Sequence, residues 1–194
     1  MKVDVKPQKI TGAWEQGYSL DRHTLSSTMT GYNEYGHPEF DTKRSPIGEL
    51  VYRLKYKSDS KAIEPIVQTV KDFLRGWDIH PNLLVAVPPS NVARRNQPVI
   101  EIARRLSQIT GLQLGEQCVK KVKKTSQLKD GADFDEKVEV LKDAFEISED
   151  VAGKKILIFD DLYDSGATMN TIAEGLWKKG ARSVYALTLT RTRG

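Results

Sequence analysis

Two hydrophobic patterns alternate along most of this 194-residue chain. Continuous apolar runs at Asn82 to Val87 (NLLVAV), Ile156 to Phe159 and Ser183 to Leu189 (SVYALTL) are the mark of strands buried on both faces. Between them, apolar residues recur at helical spacing. Ser45-Pro46 reads as a helix start, followed by Ile47, Leu50, Val51 and Leu54 on one face. A second helix spans about Lys61 to Leu74, with Pro65 tolerated in its first turn. A third runs from Gln97 to Thr110 and closes at Gly111. A fourth begins near Met169 and ends at Gly180, burying Met169, Ile172, Ala173 and Leu176, with Trp177 as a core or near-core aromatic alongside Trp77.

Weaker signals fill the gaps. Leu112–Leu114, Gln117–Val122 and Ala144–Ile147 are short strand candidates, and Asp135–Lys142 a short helix. Lys9 to Leu25 suggests a hairpin, and Ser26 to Ser45, rich in Ser, Thr, Gly and Asn, reads as loop. The alternation predicts an α/β fold: a doubly wound, mostly parallel sheet with helices on both faces. Residues 46–194 would form that domain and residues 1–45 a small N-terminal hood or accessory segment.

Composition narrows the classes. With 39% hydrophobic and 29% charged residues the chain is an ordinary globular one. No apolar run approaches the roughly 20 residues of a membrane-spanning helix, and the first residues lack a signal-peptide core. One cysteine, Cys118, excludes an internal disulfide framework and a multi-cysteine zinc site; it reads as a buried thiol. Cytoplasm is the expected compartment. The net charge of +4 suits a polyphosphate substrate and nucleic acid equally.

Chemistry concentrates in Lys155 to Met169, KILIFDDLYDSGATM. A buried strand would deliver Asp160 and Asp161 at its carboxyl end, where open α/β sheets bind ligands. The turn Asp164-Ser165-Gly166-Ala167-Thr168 then presents hydroxyls and backbone N–H groups at a helix start, a place for an anion. The acids themselves repel phosphate and suit sugar hydroxyls or a hard divalent cation. A second strand-end loop, Pro88-Pro89-Ser90, leads to Arg94 and Arg95. Five lysines, Lys120, Lys121, Lys123, Lys124 and Lys129, mark a segment poor in apolar residues that reads as a flap or a solvated face. His23 and His37 read as surface or hydrogen-bonding histidines, and Tyr163 as a wall of the site.

The central stretch resembles the ribose-phosphate-binding motif of the type I phosphoribosyltransferases. Residues 46–194 resemble the ComF-type branch, through LKYK at Leu54–Lys57, VAVPPS at Val85–Ser90 and the spacer KKTSQL…KVEVLKDAFEI. The resemblance implies an α/β core, Mg²⁺, and 5-phosphoribosyl 1-diphosphate as donor to a nitrogenous base or related acceptor, with a homodimer as candidate assembly. By it, Asp160 and Asp161 would hold the ribose hydroxyls, directly or through Mg²⁺, and Asp164 to Thr168 the 5′-phosphate. Pro89, Ser90, Arg94 and Arg95 would lie near the diphosphate, and Lys124 on the covering loop.

Two features depart from ComF proteins: the N-terminal zinc-binding cysteines are missing, and Asp164 stands where threonine is usual. The second brings the loop closer to purine-salvage enzymes, whose matching aspartate takes a proton from the acceptor base; capping the following helix is the other role open to Asp164. Few residues follow the last strand, so Trp14 or Tyr18 would have to stack on the acceptor. The alternative function is a non-catalytic binder of the sugar diphosphate acting with DNA or a protein partner. Other phosphate-binding α/β classes are disfavoured by the absence of GxGxxG and GxxxxGK[ST] loops.

Overall fold

The structure, a computed structural model, describes residues 1–89, 97–123 and 134–192. In chain order these form β1 (Gln8–Lys9), β2 (Gln16–Arg22), β3 (Thr24–Tyr32), β4 (Pro38–Arg44), α1 (Pro46–Lys57), α2 (Ile63–Gly76) and β5 (Leu83–Ala86). They continue with α3 (Pro98–Thr110), β6 (Gln113–Leu114), β7 (Val119–Lys121), α4 (Phe134–Leu141), β8 (Phe145–Ile147), β9 (Lys155–Tyr163), α5 (Ala167–Lys178) and β10 (Ser183–Arg191). The main sheet has six strands in the order β1-β2-β10-β9-β5-β6, all parallel to their neighbours except the edge pair β1–β2. The expected α/β architecture with a mostly parallel sheet is present.

Alternate residues of the central strands enter two separate cores. Leu157, Phe159, Leu187 and Leu189 face α1, α2 and α3. Ile156, Ile158, Val184 and Ala186 face Met169, Ile172, Ala173 and Leu176 of α5. This is why the strand sequences show no alternation: both faces are apolar. Trp77 is buried as expected, but Trp177 lies at the surface, 36% exposed, where its indole N–H donates to the Ala13 carbonyl at 2.6 Å. Cys118 is buried.

The N-terminal residues depart most from expectation. The β1–β2 hairpin is there, but β2 lies parallel to β10 and so completes the main sheet. Residues 26–45, expected as loop, instead form most of the antiparallel pair β3–β4, a separate two-stranded sheet. Its threonines favour extended backbone, and Ser27 Oγ meets Thr42 Oγ1 across the pair at 3.0 Å. Asn33 builds the turn, its Oδ1 accepting from the backbone of Tyr35 and His37, while Gly36 takes φ +75°.

Helix α1 is tied directly to the end of β2. The Ser45 hydroxyl accepts from the Gly48 N–H at 3.1 Å, capping the helix, and donates to the Arg22 carbonyl at 2.5 Å. The approach is close enough that a Cβ on Gly48 would lie 2.3 Å from the His23 carbonyl oxygen. Backbone cannot yield there as a flexible side chain would. Gly48→Ala is therefore expected to cost about 2 kcal/mol and lower Tm by roughly 4–8 °C in a thermal melt.

Candidate functional site

A crevice opens because neighbouring strands end at different heights. The pairing of β5 with β9 stops at Ala86–Phe159, with one further bond from the Val87 N–H to the Phe159 carbonyl. On its other side β9 stays paired with β10 as far as Tyr163–Arg191. From Asp160 onward β9 therefore has, among the described residues, one neighbouring strand, and Pro88-Pro89 border the cavity beside it. The two acids lie inside β9, as consecutive strand residues that point to opposite faces.

Asp161 points toward α1, where Lys55 Nζ stands 2.8 Å from its Oδ2, with the two side chains only 24% and 9% exposed. Asp160 points toward the start of α5 and shares a cavity wall with Thr168. Burial, and then the adjacent Asp161 charge, push the Asp160 carboxyl well above the usual range; the Asp161 N–H at 2.8 Å and the charge of Lys55 act in the other direction. An added positive charge or a hydrogen-bond donor at Asp160 would relieve that strain.

The turn after β9 depends on Gly166. It takes φ +79°, and a Cβ there would sit 2.6 Å from the Tyr163 ring. Tyr163 is fixed by its hydroxyl, which donates to the Thr11 carbonyl at 3.1 Å, so a side chain at 166 meets both strain and collision. The first turn of α5 then faces a cavity of about 270 Å³ bordered by Asp160, Asp164 to Met169, Lys121 and Lys137. A helix start beside lysines favours an anion.

Asp164, at the mouth of that cavity, accepts from Lys137 Nζ at 3.1 Å and Thr192 Oγ1 at 3.1 Å. The Lys137 hydrogen bond, assisted by Thr192, holds its pKa below the usual 3.8 against the effect of partial burial. A neighbouring cavity of about 260 Å³ has Lys55, Pro88, Pro89, Val99, Ile100, Phe145 and Asp161 in its wall, and shares Asp160, Thr168, Lys121 and Leu141 with the first.

The structure thus gathers Asp160, Asp161, Asp164, Ser165, Gly166, Ala167, Thr168 and Pro89 around one crevice. Ser90, Arg94, Arg95 and Lys124 lie outside the described residues. Trp14 and Tyr18 border neither cavity. Trp14 is buried edge-on to Tyr163, centroids 6.5 Å apart, and Tyr18 packs between Phe73 and Trp77. The apolar wall comes from Val99, Ile100, Leu141 and Phe145 instead.

Sequence reading missed Lys55 and Lys137 as members of the site. The run LKYK offered Lys55 only as a favourable charge at a helix end, and Lys137 lay in a helix with a faint pattern. His23 is the hydrogen-bonding histidine expected. Its Nδ1 is 3.2 Å from Thr190 Oγ1, which in turn donates to the Asp161 carbonyl. The hydroxyl has one hydrogen, already given, so Nδ1 carries the proton and Nε2 is the acceptor. Burial, then Arg44 and Lys55, lower the His23 pKa and keep it neutral.

A doubly wound sheet with a carboxylate pair and a glycine-containing turn at its carboxyl edge places the protein among the open-sheet α/β proteins, whose ligand sites lie at that edge. Comparison adds a family likeness: residues 99–193, from α3 to beyond β10, match the family described as Phosphoribosyl transferase domain. Ribose-phosphate pyrophosphokinase of Brucella melitensis biotype 1 is 57% identical over 37 residues, 19% of this chain; the matched segment spans 12% of that relative's length. Among solved structures, the purine phosphoribosyltransferase of Pyrococcus horikoshii is 19% identical with a TM-score of 0.43, over 67% of this chain and 82% of that one. The adenine phosphoribosyltransferase of Saccharomyces cerevisiae is 14% identical with a TM-score of 0.47, over 85% of each.

The Lys137–Asp164 contact has a pH signature. Asp164's pKa is lowered in the folded state, so its contribution to stability is present above pH 3.8 and fades as pH falls through the folded value. Lys137→Ala should move the Asp164 pKa up toward its ordinary value in a carboxylate NMR titration. It should also flatten the acid limb of the stability profile below about pH 4.

Proposed function

We propose that the protein is a Mg²⁺-dependent phosphoribosyltransferase that uses 5-phosphoribosyl 1-diphosphate as donor to a nitrogenous base or related acceptor. One observation carries the reading: Asp160 and the Asp164–Thr168 turn meet in one cavity at the end of β9, within the residues that match the family. The 5′-phosphate takes the α5 N-terminus and the hydroxyls of Ser165 and Thr168, with Gly166 and Ala167 supplying close backbone. Asp160 and Asp161 receive the ribose hydroxyls. Pro89 borders the diphosphate; Ser90, Arg94, Arg95 and Lys124, which lie outside the described residues, are assigned to the same subsite by the resemblance alone. Lys55 and Lys121, in the same wall, add positive charge opposite the leaving diphosphate.

The residues fit Mg²⁺. Two hard carboxylates are at hand, and among the described residues no group of three or more His, Cys, Asp or Glu forms a protein cage. Such a sparse donor set suits an ion that keeps waters and borrows substrate phosphate oxygens. When bound, the ion neutralises charge on the diphosphate. The protein's own part is positioning: it holds the anomeric carbon between leaving group and acceptor and limits water. The C–O bond to diphosphate breaks, the acceptor nitrogen bonds that carbon, and its proton leaves to a base. We assign that role to Asp164, at the cavity mouth, which becomes the stronger base once Lys137 turns to the phosphate.

Diphosphate release tests the reading, with Mg²⁺, the sugar diphosphate and a panel of purine, pyrimidine and nicotinate-like acceptors. Acceptor-dependent release should fall at least about 100-fold in Asp160→Asn/Asp161→Asn. Tight Mg²⁺-dependent binding of the donor with no release for any acceptor would make the protein a binder and refute the transferase.

Lys55→Met separates substrate binding from catalysis. It is expected to weaken donor binding about tenfold by calorimetry, the worth of one charge-assisted hydrogen bond. Unchanged donor affinity would remove Lys55 from the diphosphate subsite.

A further inference from the structure

The β3–β4 hairpin is left unexplained by the site. Among the described residues it pairs with no strand of the main sheet, and Thr24 to Tyr32 is exposed along nearly its whole length. A lone two-stranded hairpin is marginal in water, and exposed strand edges are normally blunted by Lys, Pro or short length. Over nine residues, TLSSTMTGY, strand β3 has no charge and no proline, and its two bulges, between Thr24/Ser26 and Met29/Gly31, lie toward its ends and leave the middle of the edge regular. The cross-strand register sets Met29 opposite Phe40 and Tyr32 opposite Pro38, and Met29, Tyr32 and Phe40 are all exposed.

We infer that β3 pairs antiparallel with β3 of a second copy of this chain, about a twofold axis near Thr28. Three observations single out a second copy. Self-pairing sets like against like, which an uncharged strand tolerates and a charged one does not. The bulges between Thr24/Ser26 and Met29/Gly31 leave Ser26 to Met29 as the regular stretch, and it straddles that axis. Charge is also self-complementary. Residues 24–41 hold Glu34, Glu39 and Asp41 with no Lys or Arg, which is −3 in a chain of net +4 and leaves +7 on the rest.

With the axis at Thr28, Tyr32 faces the partner's Thr24, and the acidic tip at Glu34 runs toward the partner's Arg22 and Lys43 at the hairpin base. Two short strands alone fall below the roughly 1,200 Å² of a stable interface, so the Met29, Tyr32 and Phe40 side chains must add to it. The dimer is a micromolar one.

Sedimentation of the whole chain at about 100 µM, where a micromolar interface is filled, should show twice the 21.8 kDa of one chain. Thr28→Lys, which sets lysine against lysine, should return the monomer, with melting temperature kept within a few degrees as the control for folding. Single cysteines at Ser26, Ser27, Thr28 and Met29 then locate the axis, since Cys118 is buried and burial raises its thiol pKa. Disulfide-linked dimer should peak at Ser27 or Thr28. A monomeric wild type overturns the inference and leaves the edge to a foreign strand. So does a dimer indifferent to Thr28→Lys with cross-linking flat across the four positions.

Discussion

Two adjacent carboxylates inside a buried strand are the constraint to which the rest of the molecule answers. An ionised carboxylate in an apolar setting is costly, and two in sequence repel each other as well. The strand order resolves half of this by ending β5 early, which gives Asp160 a cavity instead of a neighbour. Helix α1 resolves the other half by bringing Lys55 to Asp161. The result is asymmetric: Asp161 has its cation in contact, whereas at Asp160 burial and the like charge outweigh the Asp161 N–H and the charge of Lys55. A buried group in that condition attracts a ligand that supplies positive charge or donor hydrogens.

The turn after β9 obeys the same logic in reverse. There the backbone supplies positive potential at the α5 start, and Asp164, the only acid of the turn, is tied off by Lys137 and Thr192. An anion entering the turn meets a carboxylate already neutralised. Tyr163 joins the two halves, since its ring fills the space that Gly166 leaves and its hydroxyl anchors the Thr11 segment.

The core fold and the central motif were legible because each is written locally. A run such as KILIF followed by DD and DSGAT states strand, acids and loop within fifteen residues. What stayed hidden depends on distant partners. Lys55 reaches Asp161 across 106 positions, and nothing near Lys55 distinguishes it from other helix-end lysines. Strand β2 looks like half of a hairpin because its parallel partner, β10, is at the other end of the chain. Trp14 and Tyr18, the aromatics expected to stack on the acceptor, are instead consumed in packing against Tyr163 and against Phe73 and Trp77. The apolar wall of Val99, Ile100, Leu141 and Phe145 comes from three elements separated in sequence, so no local pattern could announce it.

Helix α1 connects the hairpin to the chemistry. Its first turn is held by Ser45 and Gly48 against Arg22 and His23, from which β3 departs. Arg44, at the end of β4, lies 3.7 Å over the Tyr52 ring in the middle of the helix. Lys55, within the last turn, reaches Asp161. Twelve residues make a rod of about 18 Å, and a packed helix moves as a unit. A shift of α1 against the sheet would therefore change the hairpin base and the Lys55–Asp161 distance together. His23 fastens the same junction from the sheet side, through Thr190 to the Asp161 carbonyl. The N-terminal residues, which contribute neither the acid pair nor the turn after β9, are in this way part of the frame that sets the charge balance of the site.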